Sequence, residues 1–114
     1  MALQNTNPTT TKAWEKLQQH FQTMQTASMK EMFSEDASRA AKFHIKWEDF
    51  LVDYSKNRIN QETINLLLEL ANEVNLKQAI ASYFDGQAIN QTENRAVLHT
   101  ALRAPEKATI LVDG

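Results

Sequence analysis

The chain has 114 residues, 42% of them hydrophobic and 23% charged, enough for one modest core and too few for a second, so a single segment, 1–114, is expected. A formal net charge of -2 leaves no basic excess for gripping nucleic acid or an anionic membrane surface. The absence of cysteine removes disulfides, thiolate catalysis and thiolate metal sites, and with no leader-like start and no apolar run long enough to cross a bilayer the expectation is a soluble, cytoplasmic protein.

Asn7-Pro8 reads as a helix entry, a capping side chain followed by a residue whose fixed φ suits a first turn. Trp14, Leu17, Phe21 and Met24 then recur at spacings of three, four and three, which predicts an amphipathic helix over about 8–26 with that stripe buried. Ser28 and Glu31 have capping-box spacing and predict a second helical stretch, about 28–42. The period changes to two at Phe43, Ile45 and Trp47, and again at Phe50, Val52 and Tyr54, which predicts a β-hairpin over about 43–54. Helical spacing returns after Asn60: Ile64, Leu67, Leu68, Ala71 and Val74 mark one face of a helix over about 61–74, widened by Leu66 and Leu70. Shorter helices are expected over 76–84, stopped by Asp85-Gly86, and over 92–103, ending before Pro105. Thr109-Ile110-Leu111-Val112 reads as a strand, 109–112, and Asp113-Gly114 as the turn after it. Either the strand pairs within the same domain or the chain is truncated there.

Few side chains converge on chemistry. His20, His44 and His99 are far apart and none has a second His or Cys at ligand spacing, so packing or surface roles are expected and no metal site. Glu35-Asp36 and Glu48-Asp49 are adjacent pairs whose members point apart, better suited to solvated turns than to a general acid and base. Two glycines cannot build a glycine-rich phosphate cradle. Thr9-Thr10-Thr11-Lys12 looks like helix initiation before it looks like an anion site. Ser55-Lys56-Asn57-Arg58 is the strongest polar cluster; it either carries function or ties the hairpin to the next helix cap. From the residues alone the fold class is mainly α with a short β-hairpin.

Four blocks take the reading further: Leu51-Val52-Asp53-Tyr54-Ser55-Lys56-Asn57-Arg58-Ile59, then Gly86 with Ile89-Asn90, then Thr92-Glu93-Asn94-Arg95-Ala96-Val97-Leu98-His99, and Ile110-Leu111-Val112-Asp113-Gly114. In order and spacing they resemble the N-terminal region of the glucose-6-phosphate isomerase family. The sequence departs from the family pattern at Gln87-Ala88, Ala104 and Thr109. The resemblance implies a helical N-terminal layer on a parent α/β enzyme, a three-layer αβα sandwich. It also implies the reversible conversion of glucose 6-phosphate to fructose 6-phosphate in glycolysis and gluconeogenesis, with no cofactor. The implied partners are the remainder of the same chain, a homodimer partner and, in the complete enzyme only, the sugar phosphate. The family's base, ring-opening acid and phosphate loop lie downstream of the matching region, so no catalytic, substrate-binding or metal residue is expected here and the segment alone should be inactive. For Lys56, Arg58, Arg95 and His99 the sequence leaves a role beyond structure open. A free-standing helical protein-interaction module is the alternative.

Overall fold

The computed structural model describes residues 4–112. Their contacts fall into two compact units where the sequence predicts one segment: Lys12–Leu68, and the residues up to Thr11 together with those from Glu69 onward.

The first unit opens with α1, Lys12–Met24. Ala13 and His20 are buried and Leu17 and Met24 half-buried, so the inward stripe runs one position behind the one expected from Trp14, Leu17, Phe21 and Met24. Phe21 is 57% exposed and Trp14 only half-buried. The stripe is rotated because His20 can be buried: its Nε2 lies 2.7 Å from the Thr63 hydroxyl, which meets the polar requirement of an interior imidazole.

Instead of one stretch over 28–42 there are two helices, α2 at Met29–Glu35 and the single turn α3 at Arg39–Lys42. The break has a local cause. Asp36 sits in extended backbone, and its Oδ1 accepts the Ser38 N–H (3.0 Å) and the Ser38 hydroxyl (2.6 Å), a side-chain turn that competes with helix continuation.

The hairpin follows, β1 at His44–Trp47 and β2 at Phe50–Asp53, antiparallel in the register His44 to Asp53, Ile45 to Val52, Lys46 to Leu51 and Trp47 to Phe50. Its two-residue turn is Glu48-Asp49, with Glu48 at φ 48°, the positive first-position φ of a type II′ connection. Since directly opposed residues share a face, Ile45, Val52, Trp47 and Phe50 form one apolar face and His44, Asp53, Lys46 and Leu51 the other.

Helix α4, Gln61–Glu73, starts behind a reciprocal cap: Asn60 Oδ1 accepts the Thr63 N–H (2.9 Å) while the Asn60 N–H donates to the Thr63 hydroxyl (3.1 Å). Leu66 is its buried residue, whereas Leu67 and Leu68, expected on the inward face, are 45% and 59% exposed.

In the second unit Asn7 caps a 3₁₀ turn, Pro8–Thr10, which the extended Thr11 separates from the helix expected to run on from residue 8. After Asn75, at φ 54°, comes α5, Leu76–Phe84. Gly86 is at φ 67° and a Cβ there would collide with the carbonyl oxygen of Leu111, so glycine is required twice over. The helix expected over 92–103 is reduced to a 3₁₀ segment, His99–Arg103. Upstream of it Asn90 and Arg95 exchange two backbone hydrogen bonds, 3.1 and 3.2 Å, around Asn94 at φ 49°. That closed turn leaves no helical backbone to extend. Residues 109–112 are not a strand either: the only sheet among the described residues is β1 with β2, and a strand without a ladder has nothing to define it. Residues 113–114, the expected final turn, lie outside the described residues. No helix among those described is long and apolar enough to cross a membrane.

Candidate functional site

The most highly organised polar feature is the loop after the hairpin, and the residue that organises it is Arg39. This side chain is 4% exposed. Its Nε donates to the Ser55 carbonyl (2.8 Å) and its Nη2 to the Asn57 carbonyl (2.7 Å). The guanidinium carbon lies 4.7 Å from the Phe43 ring centroid and 5.6 Å from that of Phe33, within cation–π range of both. Among the described residues this buried cation thus has two carbonyls and two ring faces but no carboxylate as partners. Sequence reasoning missed it. The available signal was an arginine between two phenylalanines, six residues after one and four before the other, ahead of a polar loop.

Around that anchor, Ser55 is 1% exposed and its N–H donates to Asp53 Oδ1 at 2.9 Å. The buried Ser55 hydroxyl has the same Asp53 carboxylate as its neighbour, in an approach too distorted for a well-formed hydrogen bond. Hydrogen bonding from the Ser55 side chain, then from its backbone, holds the Asp53 carboxyl below the usual carboxylate range; Lys56 and His44 add smaller attractions. Arg58 donates to the Gln25 carbonyl at 2.9 Å, tying the loop to the end of α1. Lys56 and Asn57 are exposed. Of the two readings left open by the sequence, the contacts favour a structural tie: Ser55, Asn57 and Arg58 are each hydrogen-bonded to distant parts of the unit, the first two to Arg39 and the third to the Gln25 carbonyl.

His20 brings together three polar side chains. Its Nδ1 lies 3.5 Å from Glu62 Oε2 and its Nε2 2.7 Å from Thr63 Oγ1, a carboxylate–imidazole–hydroxyl line of the kind that activates a nucleophile. Here the hydroxyl is already committed: Thr63 Oγ1 accepts the Asn60 N–H and lies 3.0 Å from Asn60 Oδ1. The line is a helix cap with a histidine docked on it.

The other candidates stay apart. His44 Nδ1 donates to the Ala40 carbonyl at 3.0 Å, one turn back. Asp36 pairs with Lys42 at 2.7 Å, and hydrogen bonds from Lys42 and then Ser38 lower its carboxyl to about 2. Glu48-Asp49 form the hairpin turn. The hydroxyls of Thr9, Thr10 and Thr11 turn back on Asn7 and Pro8, as helix initiation requires. Arg95 pairs with Glu93 inside the turn of its own block. No group of three His, Asp or Glu side chains among the described residues could hold a metal ion.

One open cavity of about 820 Å³ lies in the second unit, with Phe84, Asp85, His99, Arg103 and Ile110 among its lining residues. It brings His99 within the same wall as Arg103, the two ends of one 3₁₀ segment. Its acid and its bases are all exposed, without the buried environment that tunes a general acid or base.

Comparison with known proteins is more decisive than this geometry. Residues 53–114 match the family model for phosphoglucose isomerase, a stretch that includes all four blocks except its first two residues. A glucose-6-phosphate isomerase of Christiangramia forsetii is 60% identical over 110 residues, covering 96% of this chain. The chain spans 20% of that relative's length. On the strength of the family match, the chain belongs to the phosphoglucose isomerase family.

Proposed function

We propose that the chain is the N-terminal scaffold segment of a cytoplasmic glucose-6-phosphate isomerase. The complete enzyme would interconvert glucose 6-phosphate and fructose 6-phosphate without a metal or organic cofactor, as a homodimer of three-layer αβα sandwich subunits. The observation that carries this reading is 60% identity across 96% of the chain to an isomerase five times as long. The packing supports it: Ala13, Phe43 and Leu66 are the buried apolar residues among those described, while Trp47, Phe50, Phe84 and Leu102 are 64 to 84% exposed, an apolar surface larger than a self-sufficient domain leaves bare. Aldose–ketose isomerisation needs a base placed at the carbon-bound proton, an acid for ring opening and a phosphate cradle. The polar clusters described above supply no such convergent set, so no residue of the segment is assigned to catalysis or substrate binding. The alternative of a free-standing interaction module has no finding in its favour.

The test is a coupled assay for fructose 6-phosphate on two proteins: the 114-residue chain, and a chimera in which it replaces the matching region of the Christiangramia isomerase. No turnover by the chain and turnover by the chimera are expected. Turnover by the chain after rigorous removal of host isomerase would refute the scaffold reading.

A further inference from the structure

The hairpin has one face for which neither unit's packing accounts. Ile45, Trp47, Phe50 and Val52 are 60, 64, 66 and 58% exposed, and all four lie on the same side of the ladder because Ile45 opposes Val52 and Trp47 opposes Phe50. Trp47 and Phe50 stack, centroids 5.7 Å apart and planes 18° from parallel. Their rings therefore form a flat platform at the turn end, continued by two β-branched side chains. The opposite face carries His44, Lys46 and Asp53 beside a single apolar side chain, Leu51, which is 64% exposed, so three of its four residues suit it to water. A two-stranded hairpin is marginal in water by itself, and one whose apolar face is bare gains little from burial.

What covers such a face is constrained by its size. Four side chains about two-thirds exposed offer on the order of a few hundred Å², whereas a stable association of separate molecules buries about 800 Å² per partner. A second copy of the chain seated on this face alone falls short of that requirement. A surface tethered to the same polypeptide does not face the same threshold, because the tether supplies an effective concentration in the millimolar range. The isomerase that matches this chain is five times its length, so in a full-length chain such a tethered surface exists.

We propose that the face formed by Ile45, Trp47, Phe50 and Val52 is an intramolecular docking surface, covered in the full-length chain by a complementary apolar surface from the part of the polypeptide that this segment lacks. The proposal rests on the reading of the chain as a segment of an isomerase. It is specific to one side of the hairpin: the side bearing Lys46 stays in water.

The chain has no cysteine, so single cysteines introduced at Ile45 and Lys46 report the two faces separately. Alkylation of Ile45→Cys and Lys46→Cys is followed by peptide mass in the 114-residue chain and in the chimera. Both should react readily in the chain. In the chimera Ile45→Cys should slow by about tenfold or more, as for a site exposed only by local opening, while Lys46→Cys keeps its rate. Equal rates at the two positions in a folded chimera overturn the proposal. So does slowing of Ile45→Cys in the chain alone that grows with its concentration, which would assign the face to a second copy. Should the cysteine chimeras not fold, hydrogen exchange of the unmodified Christiangramia enzyme decides: slow exchange across its counterpart of His44–Asp53 supports the proposal and fast exchange overturns it. Isomerase activity of the unmodified chimera is scored separately. An active chimera with a bare hairpin sinks the docking surface alone; a folded, inactive chimera with a protected hairpin sinks the functional reading alone.

Discussion

Arg39 is the residue on which the first unit's polar structure turns. Truncating it leaves the Ser55 and Asn57 carbonyls without their donor and removes the side chain between the Phe33 and Phe43 rings. Arg39→Ala should therefore cost about 2 to 4 kcal/mol in denaturant unfolding, about 1 to 3 for the buried Ser55 carbonyl and less for the part-buried Asn57 one. Arg39→Lys should recover only part of this, since an ammonium lacks the planar fork that reaches both carbonyls. A loss below about 1 kcal/mol, typical of a surface change, would count against the anchor. At Asp36 the prediction concerns pH. Its carboxyl titrates at about 2 in the folded chain against an ordinary value of 3.8. A depressed folded value means that the contribution to stability is present above the unfolded value and is lost as pH falls through the folded one. The window is thus roughly pH 4 down to 2, and carboxyl chemical shifts should show the Asp36 midpoint move up toward the ordinary range in Lys42→Ala.

Two turns test the element scale. Glu48 occupies a type II′ position that favours glycine, at φ 48°; Glu48→Gly relieves about 1 to 2 kcal/mol of strain against about 0.5 to 1 of added chain entropy, so a small net stabilisation is expected, read as greater amide-exchange protection across β1 and β2. At Gly86 the sign reverses. Gly86→Ala must place a Cβ against the Leu111 carbonyl at positive φ; a loss of about 2 kcal/mol or more is expected, since strain alone costs about 1 to 2 and the collision adds to it. These elements also show what the sequence makes legible. The hairpin and α5 follow from short-range information, an alternation of period two and an Asp-Gly stop, and they lie where that information puts them. The helix over 92–103 and the strand at 109–112 do not form because each depends on partners rather than on its own pattern. Asn90 and Arg95 close a turn through backbone bonds that propensity cannot anticipate, and a strand needs a neighbour that the described residues do not provide. Burial of His20 in place of Trp14 was hidden for the same reason: the Thr63 hydroxyl that accommodates it is 43 positions away. For the candidate site the legible part was the Ser55-Lys56-Asn57-Arg58 cluster, and the illegible part was its anchor, since nothing in a single sequence marks an arginine as buried.

Across the whole chain, apolar surface outweighs core. Besides the hairpin face, Leu67, Leu68, Leu76, Ile80, Phe84, Ile110 and Leu111 are each 45% exposed or more. The isolated chain should accordingly bind a hydrophobic dye such as anilinonaphthalene sulfonate strongly under native conditions. Replacing Ile45 and Val52 together by serine should remove a measurable share of that fluorescence without shifting the far-ultraviolet spectrum. A chain that binds no dye and unfolds in one sharp transition would favour a self-sufficient domain over a scaffold segment.

The bonding of Arg39 has a consequence for behaviour in acid. Its acceptors are peptide carbonyls, which acid does not titrate, and added protons cannot discharge a cation. The Asp36–Lys42 pair and the Asp53 carboxylate beside Ser55, by contrast, lose their attraction once protonated. Acidification should therefore dismantle the unit in order, loosening the Asp36 turn ahead of α3 and the foot of the hairpin while the guanidinium still grips Ser55 and Asn57. The last ordered fragment would be an acid-resistant knot of Phe33, Arg39, Phe43 and residues 55–57, held by a charge that no proton can neutralise.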